Sequence, residues 1–346
     1  MTKLRYFGWE GYADGDFALV LQRDTGLVVE GETHLSDDLA CRRILAEPNN
    51  YDVININTPF VRDVLHPRGT IAPLTEKFAA ALNRLSGSFD RFKTAAQSAA
   101  GEILGIPQRC GPFNLVINEK SLSASVAKTE GLALALNPDF CRRFGILSYE
   151  DFNVMHVAIA AGLDPFRDLD AREIEAFSGA ARSIFRSARI ITADHNRLNQ
   201  ALVDGDIDFY MSGGVYTASP ARLAGRLEVR AITPARGPIS GKGGVAFVEI
   251  NALIKNSTQL HRAGETFLEY IASARGAVAG SLAAGACNPV VQMGEPRVFN
   301  AFHRDHLNAM QWDEFEEDMS LCADYAIVPN YSELLPIIKS DLAVDD

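Results

Sequence analysis

Leu4-Arg5-Tyr6-Phe7-Gly8-Trp9-Glu10-Gly11-Tyr12 opens the chain with an apolar-aromatic run that ends in a polar, glycine-bearing loop. Such a run reads as a short strand. The residues after it, with Asp14 as N-cap and Phe17, Leu19, Val20 and Leu21 inside, read as a helix that stops near Gly26. Outward from there the alternation repeats. A strand is expected at Leu27–Glu30, a helix around Ser36–Ala46, and a strand over Tyr51–Asn57 whose end turns polar. Strand and helix alternating through connections of a few residues predict a mainly parallel sheet flanked by helices, an α/β fold. Ligands of such sheets lie beyond the carboxyl ends of the strands, which makes Gly8–Tyr12 and Asn55–Thr58 candidate site loops.

The pattern then recurs as a second unit. Ala-rich sequence from about Glu76 to Leu104 reads as helical, and Cys110–Asn118 as a strand that crosses to a second lobe. There follow a strand at Ile146–Leu147, helices at Glu150–Ala161 and Ala171–Arg186, a strand at Ile190–Thr192 and a helix at Asn196–Val203. The stretch from Leu202 to Gly214 (LVDGDIDFYMSGG) reads as helix end, glycine turn, strand, and a glycine loop whose amides can approach a ligand. After a strand at Leu227–Ile232, a Pro/Gly-rich segment leads into Val245–Asn251, the strand returning to the first lobe. Two helices are expected between Thr258 and Gly285, and a helical tail from Met310 to Leu342, broken near Pro329. With 346 residues, two domains are also the expectation from length. The predicted boundaries are 1–112 plus 248–303 for the first lobe and 113–247 plus 304–346 for the second, joined by a two-strand hinge.

Composition narrows the function classes. A formal net charge of -11 disfavours nucleic acid, whose phosphates require clustered Lys and Arg. No run approaches the roughly 20 apolar residues of a membrane span. The five cysteines, Cys41, Cys110, Cys141, Cys287 and Cys322, form no CxxC pair, so zinc-ribbon and thioredoxin motifs are absent and the thiols read as buried small hydrophobes. The N-terminus carries no apolar leader segment. A periplasmic protein with its signal peptide removed and a cytoplasmic one both fit.

The order of these strings resembles the extracellular solute-binding proteins of ABC importers, the spermidine/putrescine-binding type. Gly8–Tyr12 is similar to that family's opening Trp-x-x-Tyr signature, Tyr51–Asn55 to its Tyr-Asp-hydrophobic strand, and Leu202–Met211 to its Gly-Glu/Asp strand segment. Val248–Asn256, Ala263–Ala272 and Gly285–Pro289 resemble its return strand, the helix after it and a Gly-x-x-Pro turn. The resemblance implies a two-lobed periplasmic-binding-protein fold of type II, a monomer that closes on a small ligand in the cleft. It also implies importer membrane subunits as partners, a periplasmic location, no cofactor and no catalysis.

It further implies site residues. Trp9 and Tyr12 match the aromatic half of a cation box, Glu10 between them offers a carboxylate to an ammonium, and Asn57 and Thr58 stand at a hydroxyl contact. Tyr149, Glu150 and Asp151 stand where the second lobe has an acidic pair. Each has a plainer reading: Trp9 and Tyr12 as lids on a core, and the acids as complements to a helix dipole. The sequence also departs from the pattern. Ser212, Gly213 and Lys242 occupy positions near missing aromatics and a missing acid, and amides, a hydroxyl and a lysine suit an anion. The expected ligand is therefore a polyamine or related amine or amino acid, with an anionic or zwitterionic solute, or an enzyme or sensor on the same fold, as alternatives.

Enzyme signatures are missing. Gly237–Gly243 lacks P-loop spacing, and there is no GxGxxG after a strand, no G-x-S-x-G and no HExxH. His303 and His306, three apart, are too few ligands for a metal site by themselves, and no metal is expected.

Overall fold

A computed structural model describes residues 2–13, 15–85, 87–256 and 262–342. Its strands are, in chain order, β1 (Thr2–Gly8), β2 (Leu27–Thr33), β3 (Val53–Asn57), β4 (Ile71–Ala72), β5 (Ile106–Asn118), β6 (Phe144–Leu147), β7 (Ile190–Thr192), β8 (Phe209–Gly214), β9 (Val229–Ile232), β10 (Gly244–Ile254) and β11 (Cys322–Asp324). The chain divides into two compact units. Unit 1 comprises Met1–Cys110 and Phe247–His306, and unit 2 comprises Gly111–Ala246 and Leu307–Asp346. The boundaries fall inside β5, inside β10 and inside the helix Arg304–Ala309.

In unit 1, β1 pairs in parallel with β2 and with β3, and the helix Gly15–Thr25 makes the crossover between β1 and β2. β10 runs antiparallel to β3, in register from Leu253 opposite Val53 to Glu249 opposite Asn57. The short β4 pairs with the far end of β10. The core gathers Leu4, Tyr6, Tyr12, Phe17, Leu21, Val53, Phe267 and Ile271, all nearly inaccessible, beneath the helix Arg262–Ile271. Burial of such side chains, worth roughly 1.5–3 kcal/mol each, is what holds the layer together.

In unit 2, the second half of β5 pairs antiparallel with β8 on one side and β9 on the other, with a register shift between Asn114 and Val116. β8 continues in parallel to β6, and β6 to β7. The helix Ala171–Ser187 begins with a reciprocal capping box between Asp170 and Glu173. The free edge of β9 is closed by a side chain. Gln311, itself at φ 53°, accepts from Ala231 N at 2.7 Å and donates to Ala231 O at 2.9 Å, so a glutamine amide replaces the missing strand.

Three local expectations are corrected. The segment from Glu76 to Leu104 is not one helical stretch but two short helices, Glu76–Leu82 and Asp90–Ala95, separated by a turn. Alanine propensity favoured a helix, but Gly101 at φ 83° closes a turn and Ile103 bridges back to Gln97. The tail is not purely helical either: Cys322–Asp324 forms β11 against Gly244–Ala246 of β10. A three-residue strand carries too little periodicity to be seen. The strand predicted at Leu227–Ile232 is shorter, since Arg226 lies in the turn that places Val229. Asp14 and the start of the stretch from Thr258 lie outside the described residues.

Candidate functional site

The end of β3 is polar on one face. Ile54 and Ile56 turn into apolar packing, while Asn55 and Asn57, two residues apart, share the opposite face. Across the ladder Asn57 faces Glu249 and Asn55 faces Asn251, so four polar side chains form two adjacent rows on one sheet face. All four are buried. Burying polar groups without partners costs free energy, so what each one bonds to matters.

Asp37, in the first turn of the helix Asp37–Ala46, organises the outer row. Its carboxylate accepts from Asn57 Nδ2 at 2.7 Å, from Asn57 N at 3.4 Å and from the Trp9 indole Nε1 at 3.1 Å. The Asn57 amide is thereby oriented with Nδ2 toward Asp37, and its Oδ1 has no partner. Glu249 Oε2, on the paired position, has none either. Burial raises the Glu249 carboxyl to about 7, against the pull of Arg109 and Asn55 and with reinforcement from Glu10. In the inner row Asn55 Oδ1 accepts from Trp9 N at 3.3 Å and Asn251 Oδ1 from the Tyr6 hydroxyl at 3.3 Å. No partner lies within hydrogen-bond distance of their Nδ2 atoms or of Gln108 Nε2, but Asn55 acts on the Glu249 carboxyl and Asn251 on the Tyr12 hydroxyl.

Around this face the first-loop residues take definite places. Trp9 is buried, its ring 4.8 Å from that of His34. His34 Nε2 lies 2.9 Å from the Asn55 carbonyl, which fixes the proton on that nitrogen, and burial lowers the imidazole to about 4, so it is neutral. Tyr12 is fully enclosed between Tyr6 and Phe17, and its hydroxyl donates to Gln108 Oε1. The Arg109 guanidinium lies 4.3 Å from the Tyr12 ring and donates to the carbonyls of Glu10, at 2.9 Å, and Gly280, at 3.3 Å. Glu10 is half-buried, and Thr58 is buried directly after β3.

The expected residues of unit 2 are engaged within it. Tyr149 precedes the helix Glu150–Ala160 and packs edge-on to Phe152. Glu150 is 3.1 Å from Lys339 Nζ, and Asp151 accepts from the Tyr331 hydroxyl. Ser212, at φ 67°, donates to Asn153 Oδ1 at 2.6 Å and lies 2.9 Å from His156 Nδ1. The His156 imidazole is lowered to about 3 by burial. A Cβ on Gly213 would stand 2.5 Å from the Tyr210 ring. Lys242 Nζ donates to the Ser320 carbonyl at 2.6 Å, at the end of the helix Phe315–Ser320.

Asn55 belongs to the site loop expected at Asn55–Thr58, whereas Glu249, Asn251, Gln108 and Arg109 were not singled out from the sequence as site residues. One signal was available: a glutamate and an asparagine inside an otherwise apolar run, Val245–Ile254, at alternate positions. Among the described residues no group of three or more His, Cys, Asp or Glu could hold a metal ion. The five cysteines form no disulfide, and Cys141 alone among them is exposed.

No family model matches the chain, and no curated protein matches it. Solved structures do. A candidate spermidine/putrescine ABC transporter of Listeria monocytogenes aligns with TM-score 0.76 at 12% identity, over 98% of this chain and 99% of its own. The spermidine/putrescine ABC transporter substrate-binding protein PotD of Streptococcus pneumoniae aligns with TM-score 0.66 at 14% identity, over 99% and 100%. The PBP AgtB of A. tumefaciens R10, in complex with agropinic acid, aligns with TM-score 0.64 at 13% identity, over 99% of each. The chain thus has the two-lobed periplasmic-binding-protein fold.

Proposed function

We propose that the protein is the substrate-binding component of an ABC importer and that its solute is a small amine. The observation that carries the ligand class is the pair of buried oxygens without donors, Asn57 Oδ1 and Glu249 Oε2, on directly opposed positions of β3 and β10. Opposed residues hold their Cβ atoms about 5 Å apart, so one ammonium can donate to both. The Trp9 indole, fixed by Asp37, supplies an aromatic neighbour of the kind that cations favour. The anion-binding alternative loses support in unit 2, because Lys242 and Ser212 already bond to protein groups. The likeness to substrate-binding proteins favours binding without turnover, and an importer's membrane subunits as the partner.

The test is titration calorimetry of the full chain with small amines, beside the Glu249→Gln variant. Binding by the wild type, weakened at least about thirtyfold in Glu249→Gln, is expected, since truncating one partner of a buried charge pair costs about 2–5 kcal/mol. Equal amine affinity in both proteins would overturn this site. Binding of organic anions alone would overturn the ligand class.

A further inference from the structure

Asn57 can present either arm of its amide to Glu249, and a group outside the pair has to choose between them. An asparagine amide is nearly symmetric in shape, but one arm is an acceptor and the other carries two donor hydrogens. Position 249 lies directly across the ladder, so the arm turned that way stands beside the Glu249 carboxyl. With Nδ2 there, Asn57 would donate to Glu249 Oε2 and close the site to an ammonium. With Oδ1 there, neither oxygen has a donor, and this is the arrangement found. Arg109, Asn55 and Glu10 act on Glu249 whichever way the amide is turned. Within the pair itself, the donor arm is the one that Glu249 would prefer.

Asp37 overrides that preference. Its side chain is fully buried on the first turn of the helix Asp37–Ala46, next to Ser36, whose hydroxyl accepts from Leu39 N at 3.2 Å. Asp37 Oδ1 accepts from the Trp9 indole at 3.1 Å and from Asn57 N at 3.4 Å, and Oδ2 accepts from Asn57 Nδ2 at 2.7 Å. A carboxylate has no hydrogen to give, so Asn57 must offer it the donor arm. Turning the amide round would set Asn57 Oδ1 against Asp37 Oδ2, with no hydrogen between two buried oxygens, and would forfeit a charge-assisted bond.

We infer that Asp37 is a positioning residue that gives the site its preference for ammonium: by fixing the Asn57 amide it leaves Asn57 Oδ1 and Glu249 Oε2 to one cation. The cation rests on the amine reading above, whereas the amide orientation holds with or without a ligand. Asp37→Asn keeps the shape and changes the chemistry. Its oxygen arm still serves the two donors Trp9 Nε1 and Asn57 N, so its new donor arm faces Asn57. The Asn57 amide then turns, accepting from residue 37 and donating to Glu249.

The isotope-labelled full chain is compared with Asp37→Asn and with the exchanged pair Asp37→Asn/Asn57→Asp. Butylamine and diaminobutane are titrated by calorimetry, and nuclear Overhauser contacts of the Asn57 side-chain amide are recorded without ligand. In the wild type the Asn57 amide protons should contact the Trp9 indole N–H. In Asp37→Asn they should contact the Glu249 side chain instead, and amine affinity should fall at least about tenfold. In the exchanged pair the carboxylate at position 57 accepts from residue 37 with one oxygen and keeps the other toward Glu249, so affinity should return to within about threefold of wild type. Amide contacts that stay at Trp9 in Asp37→Asn overturn the inference even if affinity drops, because a merely structural role would leave the amide in place. Wild-type affinity in Asp37→Asn, or no recovery in the folded exchanged pair, overturns it too. If Asp37→Asn does not fold, the wild-type contacts and the exchanged pair decide. If neither amine binds the wild type, the amine reading falls and the ammonium preference with it, while the amide contacts still show whether Asp37 sets the orientation.

Discussion

Gly213 has no room for a side-chain carbon: a Cβ there would meet the Tyr210 ring at 2.5 Å, Thr217 Oγ1 at 2.8 Å and Val116 at 2.9 Å. The crowding is between strands β5 and β8 and the turn after β8, so the glycine answers to packing. Gly213→Ala should cost about 1–3 kcal/mol by overpacking, seen as a lowered urea midpoint, with amine affinity of the folded protein unchanged. An affinity loss larger than the loss of stability would instead give Gly213 a place at the ligand. The same contrast explains what could be read at single positions. Trp9 and Asn57 were open to proposal from the sequence because an aromatic at a strand end and an Asn-x-Asn strand terminus are local patterns. Glu249 was not, because its meaning comes from Asn57, 192 residues away in sequence, across the ladder. The partners of Lys242 and Ser212 were hidden for the same reason: the Ser320 carbonyl and His156 lie far along the chain.

At the level of elements, alternation fixed most strands and helices within a few residues, since buried faces and glycine stops are written locally. What escaped was held together by other means. β9 has one edge completed by the Gln311 side chain, an arrangement with no sequence signature. Gln311→Ala should leave the Ala231 N–H and C=O without partners in a buried place, at roughly 1–3 kcal/mol for each group. Hydrogen exchange is the direct readout. The Ala231 amide should lose protection by more than the global stability loss explains, and unchanged protection would show that β9 is closed by something else. β11 escaped because three residues at the end of a short helix carry no period. The alanines of the stretch from Glu76 favoured helix by propensity, and tertiary packing with Gly101 overrode it.

For the whole molecule, buried titratable groups set opposing pH dependences. Glu249 holds its proton up to about 7 in the folded chain, whereas an unfolded glutamate releases it near 4.3. Its folded value is raised, so its contribution is full below about pH 4, and stability is lost as pH rises to about 7. His34 and His156, lowered to about 4 and about 3, act oppositely: stability falls as pH drops below the usual imidazole value near 6.5. Denaturant unfolding of Glu249→Gln beside the wild type should therefore show little difference near pH 4 and a gain of about 4 kcal/mol for the variant above pH 7. A difference independent of pH would mean that Glu249 is ionised throughout. The gain in stability would accompany the loss of amine binding, as expected where a binding group is held in an unfavourable setting.

The three places where the backbone passes between units, inside β5, inside β10 and inside the helix Arg304–Ala309, bear on how the protein is made. During synthesis the first 110 residues emerge without the return segment Phe247–His306, and that segment supplies Glu249 and the helix over the unit 1 core. Unit 2 in turn waits for Gln311, Tyr331 and Lys339, near the end of translation. Neither half can finish its hydrophobic layer while the ribosome still holds the next part, so the nascent chain carries unfinished sheet edges through most of its elongation. Long-range closure of this kind folds slowly. The interval before Glu249 pairs with Asn57 is thus the stage at which a holding chaperone would have most to bind.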